Sequence, residues 1–386
     1  MHRVQPTVCH VLLTLTTGGA EMVAARLSRS LRDEYRFLFV CLDRIGELGE
    51  QLRREGFAVH VIDRRPGVDW RSTLRLGRFL RRERVDVIHA HQYGPFFYSV
   101  SARLFHRRAS LLFTEHGRFH PDCRSLKRVA YNRLFLERRD KIIGVGESVR
   151  QSLINVEGMP AGRVGVIYNG INLDEFAPVA GRNDVRQSLG ISDDEFVIIQ
   201  VARLDPIKDH ATALSALDRL RIRHPRVRLL LVGDGPQESE IRKIIDQRQL
   251  QNHVIQLGLR SDVANLLNAA DAGLLTSHSE GIPLSLIEAM AVGMPIVATA
   301  VGGVPEIVES DVTGFLTQTG DSQAIAGALS RLCEDPLLCK RMSVLGRRRA
   351  ESVFSQTRMD EEYRAAYAEL LSNAGRRIQQ PLAQAG

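Results

Sequence analysis

Short apolar runs alternate along the chain with longer stretches whose apolar residues recur three and four positions apart. Residues 8–15, 37–42, 59–62, 85–89, 111–114 and 141–145 predict strands, and residues 20–31 and 70–84 predict helices between them. The strand segments are apolar at successive positions, as strands covered on both faces are. Strand–helix alternation of this kind predicts a doubly wound parallel sheet with right-handed crossovers. The series restarts at 196–201, a helix over 209–224, a strand at 228–232, a helix near 238–248, and strands at 254–257, 272–275 and 295–299. Residues 169–190, polar and broken by Pro178, Gly181 and Gly190, predict the linker. The expected organisation is an α/β protein with a Rossmann-like domain over 1–178 and another over 190–355. A C-terminal helix over 356–374 is expected to pack back on the first, with a frayed tail over 375–386. Open sheets of this type take ligands at the carboxyl ends of their strands, so two facing sheets predict a cleft lined by strand-to-helix turns.

The length of 386 residues suits two domains, and 44% hydrophobic with 25% charged residues suits a soluble globular chain. No run approaches the ~18 apolar residues of a membrane span. Met1-His2-Arg3 leads straight into a strand, so no secretory signal is expected. Cys9, Cys41, Cys123, Cys333 and Cys339 are scattered and odd in number, which argues against a disulfide framework or zinc site and for the cytoplasm. The net charge of +7 is uneven: residues 1–180 carry 29 − 19 = +10 and residues 181–386 carry 23 − 26 = −3. Much of the excess lies in residues 124–139, from Arg124 to Arg139, where Leu126, Val129, Ala130, Leu134 and Phe135 fall at helical spacing among basic residues. A second basic helix covers 71–84. Basic amphipathic helices lie on anionic membranes, so peripheral contact at the inner face of the plasma membrane is expected, against the plainer reading of solvated helix faces. Nucleic acid is not expected as a partner: aromatic residues make up 6% and form no stripe among the arginines.

Candidate chemistry gathers at the predicted strand exits. Gly18-Gly19 joins the first strand to a helix whose N-terminus favours an anion. Arg203 and Lys208 follow the first strand of the second series, around Pro206, and two cations on one loop suit a diphosphate. Gly233 and Gly235 form another exit turn without the third glycine of a dinucleotide fingerprint, since Glu238 stands there. They are expected to floor a base or ribose. In Glu280-Gly281-Ile282-Pro283-Leu284, Pro283 suits the first turn of a helix that carries Glu288. Glu280 then sits in the preceding loop, where a carboxylate can accept hydrogen bonds from sugar hydroxyls. His89 and His91 form a His-x-His without a third ligand nearby in sequence, so they are expected to line the cleft rather than hold a metal. The sequence contains no Asp-x-Asp pair to hold a divalent ion on phosphates.

Gly18-Gly19, Tyr168-Asn169-Gly170-Ile171-Asn172, Arg203 with Lys208, Glu280 and Glu288 at a spacing of eight, and Val301-Gly302-Gly303-Val304-Pro305-Glu306 resemble, in this order, glycosyltransferase family 4. The resemblance runs over nearly the whole chain. It implies the GT-B fold and a retaining, metal-independent hexosyltransferase needing no cofactor, with a nucleotide-sugar donor, UDP-linked ahead of GDP-mannose. It implies that Arg203 and Lys208 neutralise the diphosphate, that Glu288 holds the ribose and that Glu280 meets the transferred sugar. Amides at Gly18-Gly19 would meet the β-phosphate and acceptor. His116, in Thr114-Glu115-His116-Gly117, would lie near the sugar, against the alternative of a buried structural histidine. Gly233, Gly235, Gly281, Ile282, Pro283 and Leu284 would complete the donor site, with Val263 and the turn 258–260 framing the base. In similar transferases the first domain binds the acceptor, often lipid-linked. Residues 115–122 resemble sugar transferases of exopolysaccharide clusters and favour such an acceptor. The competing readings are a nucleotide-sugar 2-epimerase of the same architecture and a non-catalytic nucleotide-sugar-binding protein.

Overall fold

The computed structural model describes residues 5–16, 18–117, 123–178 and 181–373. Residues 1–4, Thr17, 118–122, 179–180 and the tail from 374 onward lie outside these. In the first unit, seven strands pair in parallel: Thr7–Thr14 (β1), Arg36–Arg44 (β2), Ala58–Val61 (β3), Val87–His91 (β4), Ser110–Glu115 (β5), Lys141–Gly144 (β6) and Val164–Val166 (β7). Their order is β3-β2-β1-β4-β5-β6-β7, so the winding reverses between β1 and β4. The consecutive apolar residues of β1 explain its place beside that reversal: Val8, Cys9, Val11 and Leu12 are all buried.

The second unit holds Phe196–Val201 (β8), Val227–Val232 (β9), Val254–Gly258 (β10), Ala272–Leu275 (β11), Ile296–Thr299 (β12) and Gly314–Thr317 (β13) in the order β10-β9-β8-β11-β12-β13. Its reversal falls between β8 and β11. Its core forms where Ile198, Leu229, Leu231 and Leu274 of the sheet meet Leu217 and Leu220 of helix His210–Arg223 and Leu329 of helix Ser322–Glu334. Both sheets are parallel and wound with helices, as the hydrophobic pattern predicts.

The differences from the sequence reading have local causes. β4 starts two residues later than expected because Asp86, itself buried, exchanges bonds with Thr7: Thr7 N donates to Asp86 Oδ2 at 2.9 Å and Asp86 N to Thr7 O at 2.9 Å. His91 therefore ends the strand instead of lying beyond it. The edge strands β7, Val-Gly-Val, and β13, Gly-Phe-Leu-Thr, have only two large apolar residues each, so no apolar run marks them. The chain passes from the first unit to the second at Tyr168–Asn169, at the start of the expected linker, and returns at Thr357–Arg358. Asn169 goes with the second unit because its buried side chain donates from Nδ2 to Ile282 O at 3.0 Å. After the return, Tyr363 and Tyr367 are buried in the first unit, and Ser110 Oγ donates to Leu370 O at 3.1 Å.

Candidate active site

In the second unit the exits of β8 and β9 are stitched together. Leu204 N donates to Asp234 O at 2.7 Å and Gln237 N to Leu204 O at 2.9 Å. Gly233 and Gly235 exist for this contact. A Cβ on Gly233 would stand 2.1 Å from Ala202 O, and one on Gly235 2.6 Å from Leu204 O, and both have φ above +130°. The backbone of 202–204 therefore fills the space on the Cβ side of both glycines. Beside them, Leu204, Gly233, Gln256 and Gly258 help line a cavity of about 80 Å³, reached also by Glu238 and Arg242.

Beyond Leu204 the chain makes a single tight turn, Pro206–Lys208, closed by Lys208 N donating to Asp205 O at 3.0 Å. Asp209 follows in the left-handed region (φ 46°) and caps helix His210–Arg223, accepting from Thr212 N at 3.2 Å. Thr276 Oγ1, just past β11, lies 2.9 Å from both Lys208 O and Asp209 O and donates to this pair of carbonyls. With its backbone pinned at this point, Lys208 extends Nζ to Glu280 Oε1 at 2.5 Å, and Ser277 Oγ donates to the same oxygen at 2.6 Å. Arg203 is 64% exposed and rests on Asp205 at 2.7 Å, so it is the more exposed cation of the two expected on this loop.

Glu280 is held from behind. Gly302 (φ 51°) and Gly303 press against its peptide: a Cβ on Gly302 would lie 1.9 Å from Glu280 O, and one on Gly303 2.2 Å from Gly281 O. Gly303 N donates to Gly281 O at 3.1 Å. Gly281, Ile282 and Pro283 are buried, and Asn169 fixes the Ile282 carbonyl. Pro283 caps helix Leu284–Ala291 instead of occupying its first turn. Leu284 is half-buried at that N-terminus, where backbone N–H groups lack intrahelical acceptors, and Glu288 sits half-buried one turn on. The structure thus brings Lys208, Glu280 and a helix N-terminus together. Val263 opens helix Val263–Ala269, and the preceding turn at Gly258 is tied to β9 through Gly233 N donating to Gly258 O at 2.8 Å.

In the first unit Gly18 caps helix Gly19–Ser30, with Met22 N donating to its carbonyl at 2.9 Å. A Cβ on Gly19 would meet nothing within 4 Å, so the helix entrance is open there. His116, one residue past β5, belongs to a series of rings. His10 Nδ1 lies 2.8 Å from His91 Nε2, and His91 Nδ1 lies 2.9 Å from His116 Nε2. His89 is engaged at both nitrogens, with Tyr367 Oη at 2.7 Å and Thr114 Oγ1 at 2.9 Å. His89 and His91 are buried, which corrects their expected place lining a cleft. β1, paired with β4, supplies the third imidazole that sequence spacing lacked: His10, His89 and His91 offer ring nitrogens within 4.8 Å of one another. Desolvation holds His10 and His116 down to about 3, with the charge of His116 a further cause at His10, and burial lowers His89 and His91 as well. The spacing of His89 and His91 was legible; the contribution of His10 needs the strand order.

Two parallel sheets, each wound on both sides of a reversal, with a cation and a carboxylate paired at strand exits of the second, have the architecture of the GT-B fold. Comparison with known proteins agrees: residues 17–175 match the family described as Glycosyltransferase Family 4 and residues 181–349 that described as Glycosyl transferases group 1. The chain belongs to glycosyltransferase family 4. It is 26% identical to N-acetyl-alpha-D-glucosaminyl L-malate synthase of Bacillus anthracis, over 84% of this chain and 92% of that one. It is 25% identical to the UDP-Gal:alpha-D-GlcNAc-diphosphoundecaprenol alpha-1,3-galactosyltransferase of Escherichia coli, over 86% and 89%. Its fold superposes on that of Anabaena HepE, solved with UDP and glucose, with a TM-score of 0.83 at 24% identity, over 94% of this chain and 99% of that one.

Proposed function

We propose that this glycosyltransferase moves a hexosyl group from a nucleotide-sugar, UDP-linked ahead of GDP-linked, to a hydroxyl of a lipid-linked or polysaccharide acceptor, with retention and without a metal. The Lys208–Glu280 pair beside the N-terminus of helix Leu284–Ala291 carries this reading. An arriving diphosphate gives Lys208 a second anionic partner, and the helix N-terminus adds its own positive end. Arg203 swings from Asp205 to the same phosphates, and Glu288 takes the ribose. Glu280, relieved of part of its ion pair, accepts from sugar hydroxyls. Because Lys208 and Ser277 both engage its carboxylate, Glu280 orients the sugar instead of attacking it. The departing phosphate then serves as base for front-face attack, with His116 and the amides at Gly18-Gly19 assisting from the first unit. The E. coli relative's name, with a UDP-linked donor and a diphosphoundecaprenol-linked acceptor, supports the choice of substrates.

Calorimetric titration with UDP and with GDP, each with and without magnesium, tests the donor site. Tight binding of UDP independent of magnesium is expected. Lys208→Met should weaken it roughly tenfold to a hundredfold, the value of one charge-assisted bond. Equal affinity in that variant overturns the assignment. Release of free epimerised sugar without acceptor would favour the epimerase reading.

Membrane docking is part of the proposal. In helix Leu126–Phe135 only Val129 and Asn132 are buried, while Leu126 and Leu134, both 76% exposed, face outward with Ala130 between them and Lys127 and Arg133 alongside. Trp70, 61% exposed, packs on Phe97 at 5.8 Å and Phe97 on Tyr131 at 4.8 Å, so the basic helix Trp70–Arg82 shares this side of the unit. An apolar stripe with basic flanks suits an anionic lipid surface. Co-sedimentation with phosphatidylglycerol vesicles is expected to fall with salt and in Leu126→Ser/Leu134→Ser. Binding insensitive to both sinks the idea.

A further inference from the structure

His10, His91 and His116 form a series with two internal contacts and two free ends. The contacts are His10 Nδ1 to His91 Nε2 at 2.8 Å and His91 Nδ1 to His116 Nε2 at 2.9 Å. The ends, His10 Nε2 and His116 Nδ1, are buried atoms with no hydrogen-bond partner among the described residues. Burial keeps the three rings neutral. Three neutral imidazoles carry three N–H protons. Each contact must hold one proton, since two lone pairs at 2.8 Å repel and two N–H groups clash. The third proton sits at one end, and its position fixes all three tautomers. With the proton on His116 Nδ1, every ring is the Nδ1–H form; with it on His10 Nε2, every ring is the Nε2–H form.

The two ends are not equivalent. His10 is fully buried, its ring stacked on Phe37 at 5.4 Å and on Phe39 at 5.3 Å with interplanar angles of 16° and 24°. Near-parallel stacking turns the ring edge away from both π faces, so an N–H there would find no acceptor of that kind. A buried unpaired donor is the rarer defect in folded proteins, and a bare lone pair the more tolerated one. His116 stands at a strand exit and is half-buried as a residue, so although its Nδ1 is enclosed in the unliganded protein, a small side-chain shift brings that end of the series to a ligand oxygen.

We infer that His10 and His91 are positioning residues that set His116 in the Nδ1–H tautomer, so that it presents a neutral hydrogen-bond donor, not a base, to a substrate oxygen. The donor role toward substrate rests on the placement of His116 proposed above; the tautomer does not. The cluster is then a hydrogen-bonded relay and not a metal centre: His10 and His91 spend a nitrogen on each other, and both nitrogens of His89 are taken by Tyr367 and Thr114.

Nitrogen-15 spectra of the full chain, labelled at its twelve histidines and assigned through single variants, test this without any donor present. His10, His91 and His116 are all expected to carry their proton on Nδ1; an Nε2–H form at His116 overturns the inference. In His91→Asn, the amide N–H replaces Nδ1–H, so His116 should keep its tautomer and most turnover. In His91→Leu the tautomer should relax toward Nε2–H, with kcat falling about threefold to tenfold, the worth of one neutral hydrogen bond, and nucleotide affinity unchanged. Should that variant not fold, the wild-type spectrum still decides. Zinc chloride should leave the three rings unshifted, and a joint shift of His10, His89 and His91 overturns the relay. An Nδ1–H spectrum with kcat untouched in a folded His91→Leu overturns the donor role alone. Loss of UDP binding in the wild type would strike the donor-site reading while leaving the tautomer standing.

Discussion

Gly302 shows how a residue without a side chain can place one that has chemistry. Its φ of 51° and the 1.9 Å between its absent Cβ and Glu280 O leave no room for alanine unless the Glu280 peptide moves. Displacing a substrate-orienting group by ~1 Å can cost about a hundredfold in rate. Gly302→Ala is therefore expected to lower kcat by about that factor while changing UDP affinity far less, because Lys208 and the helix N-terminus stay in place. Steady-state kinetics beside a UDP titration check this, and an unchanged kcat would show that Glu280 is not positioned by this contact. At this scale the sequence is a partial guide. Gly302 and Asn169 are visible as members of motifs, but their tasks, backing Glu280 and pinning the Ile282 carbonyl, appear only when distant segments meet. Gly233 and Gly235 likewise read in sequence as a turn, while the close passage of the 202–204 backbone that they permit appears only in the fold.

Among elements, helix His210–Arg223 and the turn before it stand or fall with Asp209. Its carboxylate accepts from Thr212 N, and its left-handed backbone turns the chain from the Pro206–Lys208 turn into the helix. Asp209→Ala removes the cap while keeping a Cβ in a strained region, and should cost about 1–2 kcal/mol. Asp209→Gly loses the cap but relieves the backbone, and should cost only a few tenths of a kcal/mol. Urea unfolding of the two variants separates these terms, and equal losses would mean that the strain is not real. The elements themselves were largely legible, because buried parallel strands are written as apolar runs. What failed was what no apolar run marks: the edge strands β7 and β13, and the start of β4, set by the buried Asp86 just before it through its bonds to Thr7 of the neighbouring β1.

Across the molecule, buried neutral histidines are unevenly distributed. The first unit contains His10, His89, His91 and His116, all lowered mainly by desolvation, and the second contains His210, lowered to about 4 by desolvation and by Lys208. A histidine depressed in the fold binds its proton more readily when unfolded. Its contribution to stability is intact above the unfolded value near 6.5 and is lost as pH falls toward the folded one. The slope is at most ~1.4 kcal/mol per pH unit for each such histidine. Glu55, Glu83 and Glu195, which are lowered, act instead around and below the ordinary carboxylate range, so the interval from about pH 6.5 to 4.5 belongs to the histidines. Unfolding free energy should therefore fall through that interval, and hydrogen exchange should show the first unit opening ahead of the second, since it has more neutral rings to protonate. A flat profile, or earlier opening of the second unit, would mean that the imidazoles of β1 and β4 already carry charge or water in the fold, and that their ordering by burial is mistaken.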